Sequence, residues 1–207
     1  MRPFFLAAFF FISFSSTAQL HWAFKAGGQL STASFKRDGV KMPNENIGGY
    51  LFGIGTKVYF DDKVAFVSGL QYNSRGFTVT DTLNKPSRTY RLNYIDIPLL
   101  IQVDLSKKRN GGLYCKLGPS IGVGVNGKQT YTNAMGARVT DKAKLSVTGN
   151  YFGLFDASLN ASLGYTFGGK LFAEAAYAYG IGNINNDPNG AKIKPRSASL
   201  SVGYYFR

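Results

Sequence analysis

The stretch FDASLNASLGYTF, Phe155 to Phe167, alternates without a break. Phe155, Ala157, Leu159, Ala161, Leu163, Tyr165 and Phe167 share one parity, and Asp156, Ser158, Asn160, Ser162 and Gly164 the other. A period of two residues makes a strand with two unlike faces. The same alternation recurs over Leu20 to Gln29, Tyr50 to Phe60, Val64 to Arg75, Tyr90 to Asp104, Leu113 to Asn126, Tyr151 to Phe167, Lys170 to Tyr179 and Ser197 to Phe206. That predicts about eight strands, each near the ~10 residues that cross a bilayer when tilted. Beyond the first residues there is no apolar stretch long enough for a transmembrane helix.

The connections constrain the fold further. They run Leu30 to Gly49 (long), Asp61 to Lys63 (short), Gly76 to Thr89 (long), Leu105 to Gly112 (short), Gly127 to Asn150 (long), Gly168 to Gly169 (short) and Gly180 to Arg196 (long). Strict alternation of long and short is what an up-and-down antiparallel barrel produces when all wide loops lie at one rim and all tight turns at the other. A soluble barrel and a membrane barrel put opposite faces outside, and the polar parity decides between them. A wet exterior would carry many charges of both signs. Instead the polar parity holds Ser197, Ser199, Ser201, Gly203 and Tyr205 on the last strand, and Tyr114, Lys116, Gly118, Ser120, Gly122, Gly124 and Asn126 on the fifth. Small residues of this kind suit the narrow interior of a barrel of about eight strands. The apolar parity then faces lipid, as in Leu113, Cys115, Leu117, Ile121, Val123 and Val125, or Ile95, Ile97, Leu99, Ile101 and Val103. Aromatic residues gather towards both strand ends: Phe60, Tyr165, Phe167, Tyr204 and Phe206 near the tight turns, Tyr50, Phe52, Tyr72, Tyr177 and Tyr179 near the wide loops. Two interfacial girdles would have that distribution. The expected fold is an all-β, eight-stranded antiparallel up-and-down transmembrane β-barrel.

The first twenty residues, MRPFFLAAFFFISFSSTAQL, have a basic start, an apolar run from Phe4 to Phe14, and small residues before Gln19. This pattern predicts a signal peptide over residues 1–18 and a barrel domain over 19–207. Cys115 is the single cysteine, so neither a lipid-anchored first residue nor an internal disulfide is expected. The net charge of +13 raises nucleic acid as a partner. An exported chain without a nucleic-acid-binding motif points instead to anionic lipid head groups or polysaccharides.

Taken together, YIDIPLLIQ (Tyr94 to Gln102), GLYCKLGPSIGVGV (Gly112 to Val125), the closing SLSVGYYF and the signal ending in Thr17-Ala18-Gln19 resemble the small outer-membrane β-barrel family of Bacteroidota, porin-like or PorT-like. The resemblance covers the whole mature chain. Such barrels usually end on an aromatic residue, whereas Arg207 follows Phe206 here. The resemblance implies an outer-membrane location with periplasmic termini. It also implies an alternative role as an accessory of protein secretion, alongside a small porin.

Two groups of candidate residues follow. The inward parity carries Lys25, Lys57, Arg75 and Lys116 against Asp96, Asp104, Asp156 and Glu174. Charges in a narrow lumen are costly unless paired, so these eight are expected to form a salt-bridge network that plugs the barrel. The long loops are expected to carry Lys36, Arg37, Lys41, Lys85, Arg88, Lys128, Arg138, Lys142, Lys144, Lys192, Lys194 and Arg196, a basic excess suited to lipopolysaccharide phosphates or an acidic extracellular glycan. His21 is the single histidine and sits at the start of the first strand. With no second histidine, neither general-base catalysis nor a zinc site is expected, and no cofactor is implied. NINNDPNG, Asn183 to Gly190, reads as turn-forming residues rather than a calcium loop. The expected function is a non-enzymatic surface or structural barrel with a closed lumen.

Overall fold

The computed structural model describes residues 20–37, 40–41, 44–79, 87–106, 111–132, 137–147, 152–187 and 191–206. The expected signal peptide and Lys85 lie outside them. Eight long strands form the staves: β1 (Leu20–Arg37), β2 (Ile47–Tyr59), β3 (Val64–Val79), β4 (Arg88–Asp104), β5 (Gly112–Thr132), β6 (Phe155–Phe167), β7 (Leu171–Gly180) and β8 (Lys192–Phe206). Each pairs antiparallel with the next, and β8 returns to β1, so the sheet closes into a ring. Closure leaves no stave with an unpaired edge, which is the condition for crossing lipid with strands.

The apolar parity lies outside. From Ile95 to Val103, every second residue of β4 is exposed, while Asp96, Leu100 and Gln102 between them are buried. That run rises about 27 Å along the strand at ~3.4 Å per residue. A tilt near 40° reduces this to about 21 Å, close to the ~25 Å apolar band of membrane barrels. At the wide-loop edge of the belt Tyr50, Phe52 and Tyr72 stack on one another, with ring centroids 5.0 to 6.5 Å apart. At the tight-turn edge Tyr165 meets Phe167 at 4.7 Å and Tyr204 meets Phe206 at 5.4 Å. The Gly168-Gly169 turn takes left-handed backbone, φ 56° and 73°, which suits the twist of a two-residue hairpin. Inside, Gly164 leaves room for the Tyr114 ring, which a β-carbon at that position would strike.

The staves run well past the ends predicted from the sequence. β1 continues to Arg37 rather than stopping near Gln29, and β8 begins at Lys192 rather than Ser197. Beyond the belt the two faces exchange polarity: Ala33, Phe35, Phe77, Leu92, Tyr94 and Ile193 turn inward, while Thr32, Ser34, Arg91, Lys192 and Lys194 turn outward. A pattern search that follows one apolar face ends where that face turns polar, and so it stops at the belt. A bulge opposite Asn93 and Tyr94 adds a residue to β5. The extra residue flips the parity, so Asn126 pairs with outward-facing Asn93 and lies on the outer wall rather than in the lumen.

Several basic residues assigned to loops are consequently strand residues. Lys36 and Arg37 belong to β1, Arg88 to β4, Lys128 to β5, and Lys192, Lys194 and Arg196 to β8. Lys41 lies in the two-residue strand Val40–Lys41, and Arg138 and Lys142 end a short strand, Arg138–Lys142, that pairs with the end of β5. Lys144 lies between this strand and Leu145–Ser146.

Candidate functional site

The lumen is organised in three tiers. Nearest the wide loops lies an apolar cap, in which Ala33, Phe35, Phe77, Leu92, Tyr94, Ala143, Ile184 and Ile193 pack together with Tyr90, Leu145 and Phe152 at the margin. Phe77 sits at its centre, 5.3 Å from both Phe35 and Tyr90 and 6.2 Å from Phe152. The Tyr94 hydroxyl donates to the Gly153 carbonyl at 3.2 Å, tying the cap to the β5–β6 connection. In that region NINNDPNG uses its side chains to fasten backbone. Asn183 Oδ1 accepts from the Ile193 amide at 2.8 Å, and Asn185 Nδ2 donates to the Ala191 carbonyl at 2.8 Å. Residues 188–190 of this motif lie outside the described residues.

Below the cap come the ionised groups. Asp96 of β4 and Asp156 of β6 flank Gly122 of β5 in the register, and the space left by that glycine is taken by the Asp96 carboxylate, which a β-carbon there would strike. Arg75 reaches across from β3, donating to Asp156 at 2.8 Å and bonding Asp96, which also accepts from Asn73 at 2.6 Å. A second cluster centres on Glu174 of β7. It receives Lys116 at 2.5 Å, Lys25 at 3.5 Å and the Tyr114 hydroxyl at 3.1 Å. One cluster holds one cation and two carboxylates, the other two cations and one carboxylate, so together they balance. A polar cavity of about 40 Å³ separates them, bordered by Gln71, Ser120, Asn160 and Ser162, room for a few waters.

The third tier lies towards the tight turns. Tyr114, Phe172 and Tyr205 pack with Ala23. Lys57 sits over the Tyr205 and Tyr59 rings at 4.1 and 4.8 Å, a cation–π arrangement. Asp104 accepts from the Tyr59 hydroxyl at 2.7 Å and from Gln102 at 2.6 Å. The sequence places both charges in one salt-bridge network with the other six; in the structure aromatic rings meet the lysine and neutral donors the carboxylate. His21 stands edge-on to Tyr59 at the same rim. Among the described residues no three of His, Cys, Asp and Glu come together as metal ligands.

Outside, above the belt, the basic residues form a collar. On β8 Lys192, Lys194 and Arg196 project from the outer wall on alternate positions, with Arg196 against the Tyr179 ring at 4.8 Å. On the opposite side, Arg91 pairs with Lys128 and Lys128 with Lys142 across three neighbouring strands. Arg91 escapes sequence reasoning because it sits in a strand, but the collar includes it. Tyr131, one of the inward-facing residues at this level, donates to Asp141 at 3.0 Å. That bond and the carboxylate's charge hold its phenol above the ordinary value.

The family model of the outer membrane protein beta-barrel domain matches residues 13–186. No curated protein matches the chain. Similar solved structures include Ail, the attachment invasion locus protein of Yersinia pestis, in complex with the heparin analogue sucrose octasulfate. It shares 15% identity over 91% of this chain and 99% of its own, with a TM-score of 0.48. OprG from Pseudomonas aeruginosa shares 15% identity over 93% and 98% of the two chains, with a TM-score of 0.46. Neisserial surface protein A shares 11% over 92% and 100%, with a TM-score of 0.45. The matched span takes in β1 through β7 and leaves β8 as the stave that closes the same ring; the chain belongs to the outer membrane protein β-barrel domain family and is a protein of the bacterial outer membrane.

Proposed function

We propose that this protein is a closed, non-conducting and non-enzymatic barrel that acts at the cell surface, with its wide loops outside and its termini in the periplasm. The observation that carries this reading is the filled lumen: apolar cap, paired charges and aromatic floor follow one another along the axis. An ion would have to displace the Arg75 and Glu174 clusters, each held by groups from different staves, and then part the cap. The basic collar, not the lumen, is the contact surface, and its complement is anionic. Planar-bilayer recording tests the closed lumen: the wild-type barrel is expected to show no steady conductance, and large stable single-channel steps would overturn the reading. A stable periplasmic partner cross-linked from the tight turn carrying Lys63 would favour instead the secretion-accessory role that the PorT-like resemblance implies.

A further inference from the structure

Arg91, Lys128 and Lys142 stand directly opposite one another in register, on β4, β5 and the short strand Arg138–Lys142. All three are exposed. Paired positions share a face, so three cations stand in one row about 10 Å long, two strand spacings of ~4.8 Å. Like charges in directly opposed positions destabilise a sheet. Nothing in the described residues neutralises this row. None of the three has a carboxylate within ion-pair distance, and Arg91 donates to the Gly48 carbonyl at 3.2 Å. Glu45 lies on the same face, opposite Thr78, but one row higher and two strands from Arg91.

The height of the row identifies its complement. Ile95 pairs with Val123 at the upper end of the belt, the exposed bulge residue Val125 is the last apolar residue on β5, Asn93 and Asn126 form the next rung, and the cations form the one after. Charged head groups meet the barrel wall at that level. One rung higher, Thr89, Thr130 and Thr140 form a row of hydroxyls that continues to buried Thr78, with Thr78 and Thr89 2.9 Å apart and Thr130 and Thr140 3.1 Å apart. An arginine fork with two ammonium groups matches phosphate, which offers several acceptor oxygens and more than one charge. A hydroxyl row beside it suits a sugar.

We infer that Arg91, Lys128 and Lys142 form a binding site on the outer wall for the phosphate groups of a phosphorylated glycolipid head group in the surrounding leaflet. The inference rests on the proposed orientation, with the wide loops outside. The test uses the full barrel refolded in a neutral sugar detergent, with bisphosphorylated lipid A, dephosphorylated lipid A or inorganic phosphate added. Bisphosphorylated lipid A is expected to raise the unfolding temperature of the wild-type barrel, and the triple variant R91Q/K128Q/K142Q to bind it about tenfold more weakly or worse. Without lipid the triple variant is expected to unfold at a higher temperature than wild type, because the repulsion is gone. That reversal of order distinguishes a ligand site from a structural role. Should the triple variant fail to refold, Lys142→Gln, on the short outer strand, carries the same comparison. Equal stabilisation of wild type and variant, or equal stabilisation by inorganic phosphate, would overturn the glycolipid site. Orientation is read separately, by labelling a Thr132→Cys variant in a Cys115→Ser background on intact cells with an impermeant maleimide. Absence of labelling would overturn the orientation itself.

Discussion

The two halves of β4 solve opposite problems. Within the belt, Ile95, Ile97, Leu99, Ile101 and Val103 face outward and Asp96 and Gln102 inward; above it, Leu92 and Tyr94 face inward and Arg91 and Asn93 outward. β8 makes the same exchange between Leu200 or Val202 and Lys192 or Lys194. Because alternation survives the change of solvent, one strand serves as a membrane stave below and as the wall of a water-soluble sandwich-like core above. The belt section is filled by paired charges and a small aromatic cluster, and lipid outside it gives no hydrophobic drive to bury its outer face. The cap section is held by ordinary apolar burial, since water replaces lipid outside it.

Substitutions in the two sections therefore test different forces. Phe77→Ala, at the centre of the cap, is expected to cost about 4 kcal/mol in urea unfolding from lipid vesicles. A cost near zero would show that the cap is not a packed core. In the belt section, Glu174→Gln leaves Lys25 and Lys116 without their carboxylate and is expected to cost about 3 kcal/mol by the same measurement; an unchanged midpoint would mean that water already screens the cluster. Val202→Arg puts a charge on the lipid face and is expected to cost about 2 kcal/mol. Lys194→Leu lies on the same face of the same strand but above the belt, and is expected to change stability by less than about 0.5 kcal/mol. If these two outer-wall changes had equal effects, the boundary between the sections would be misplaced.

How much of this the sequence discloses depends on the section. In the belt, period-two alternation gives the staves, the wet face and the inward charges, because lipid outside and a small lumen inside allow no other pattern. It does not give partners: Arg75 meets Asp156 across the ring, and no local spacing announces that. The cap escaped because its members are scattered. Phe35 stands between Ser34 and Lys36, Phe77 between Gly76 and Thr78, and Ile193 between two lysines, so each looks like an isolated residue in a polar loop. Charges at every second position, as in Lys192, Lys194 and Arg196, mark a strand whose wet face is outside, the same signal as the belt with its sign reversed. The bulge at Asn93 left no signature of its own, and it decides which wall Lys128 occupies.

The seam between β1 and β8 is the pairing of longest sequence separation in the ring. It joins Trp22 to Phe206 and Lys36 to Lys192, residues from nearly opposite ends of the described chain. Bringing ends so distant together costs about 4–5 kcal/mol of chain entropy, and no shorter-range pairing closes the ring beforehand. Until it forms, two stave edges present bare amides and carbonyls to hydrocarbon, each a penalty of several kcal/mol. Partial rings are thus unfavourable at every stage, and unfolding meets the same barrier from the other side. Opening the ring anywhere exposes two such edges at once, so unfolding from the membrane is expected to be slow as well as costly.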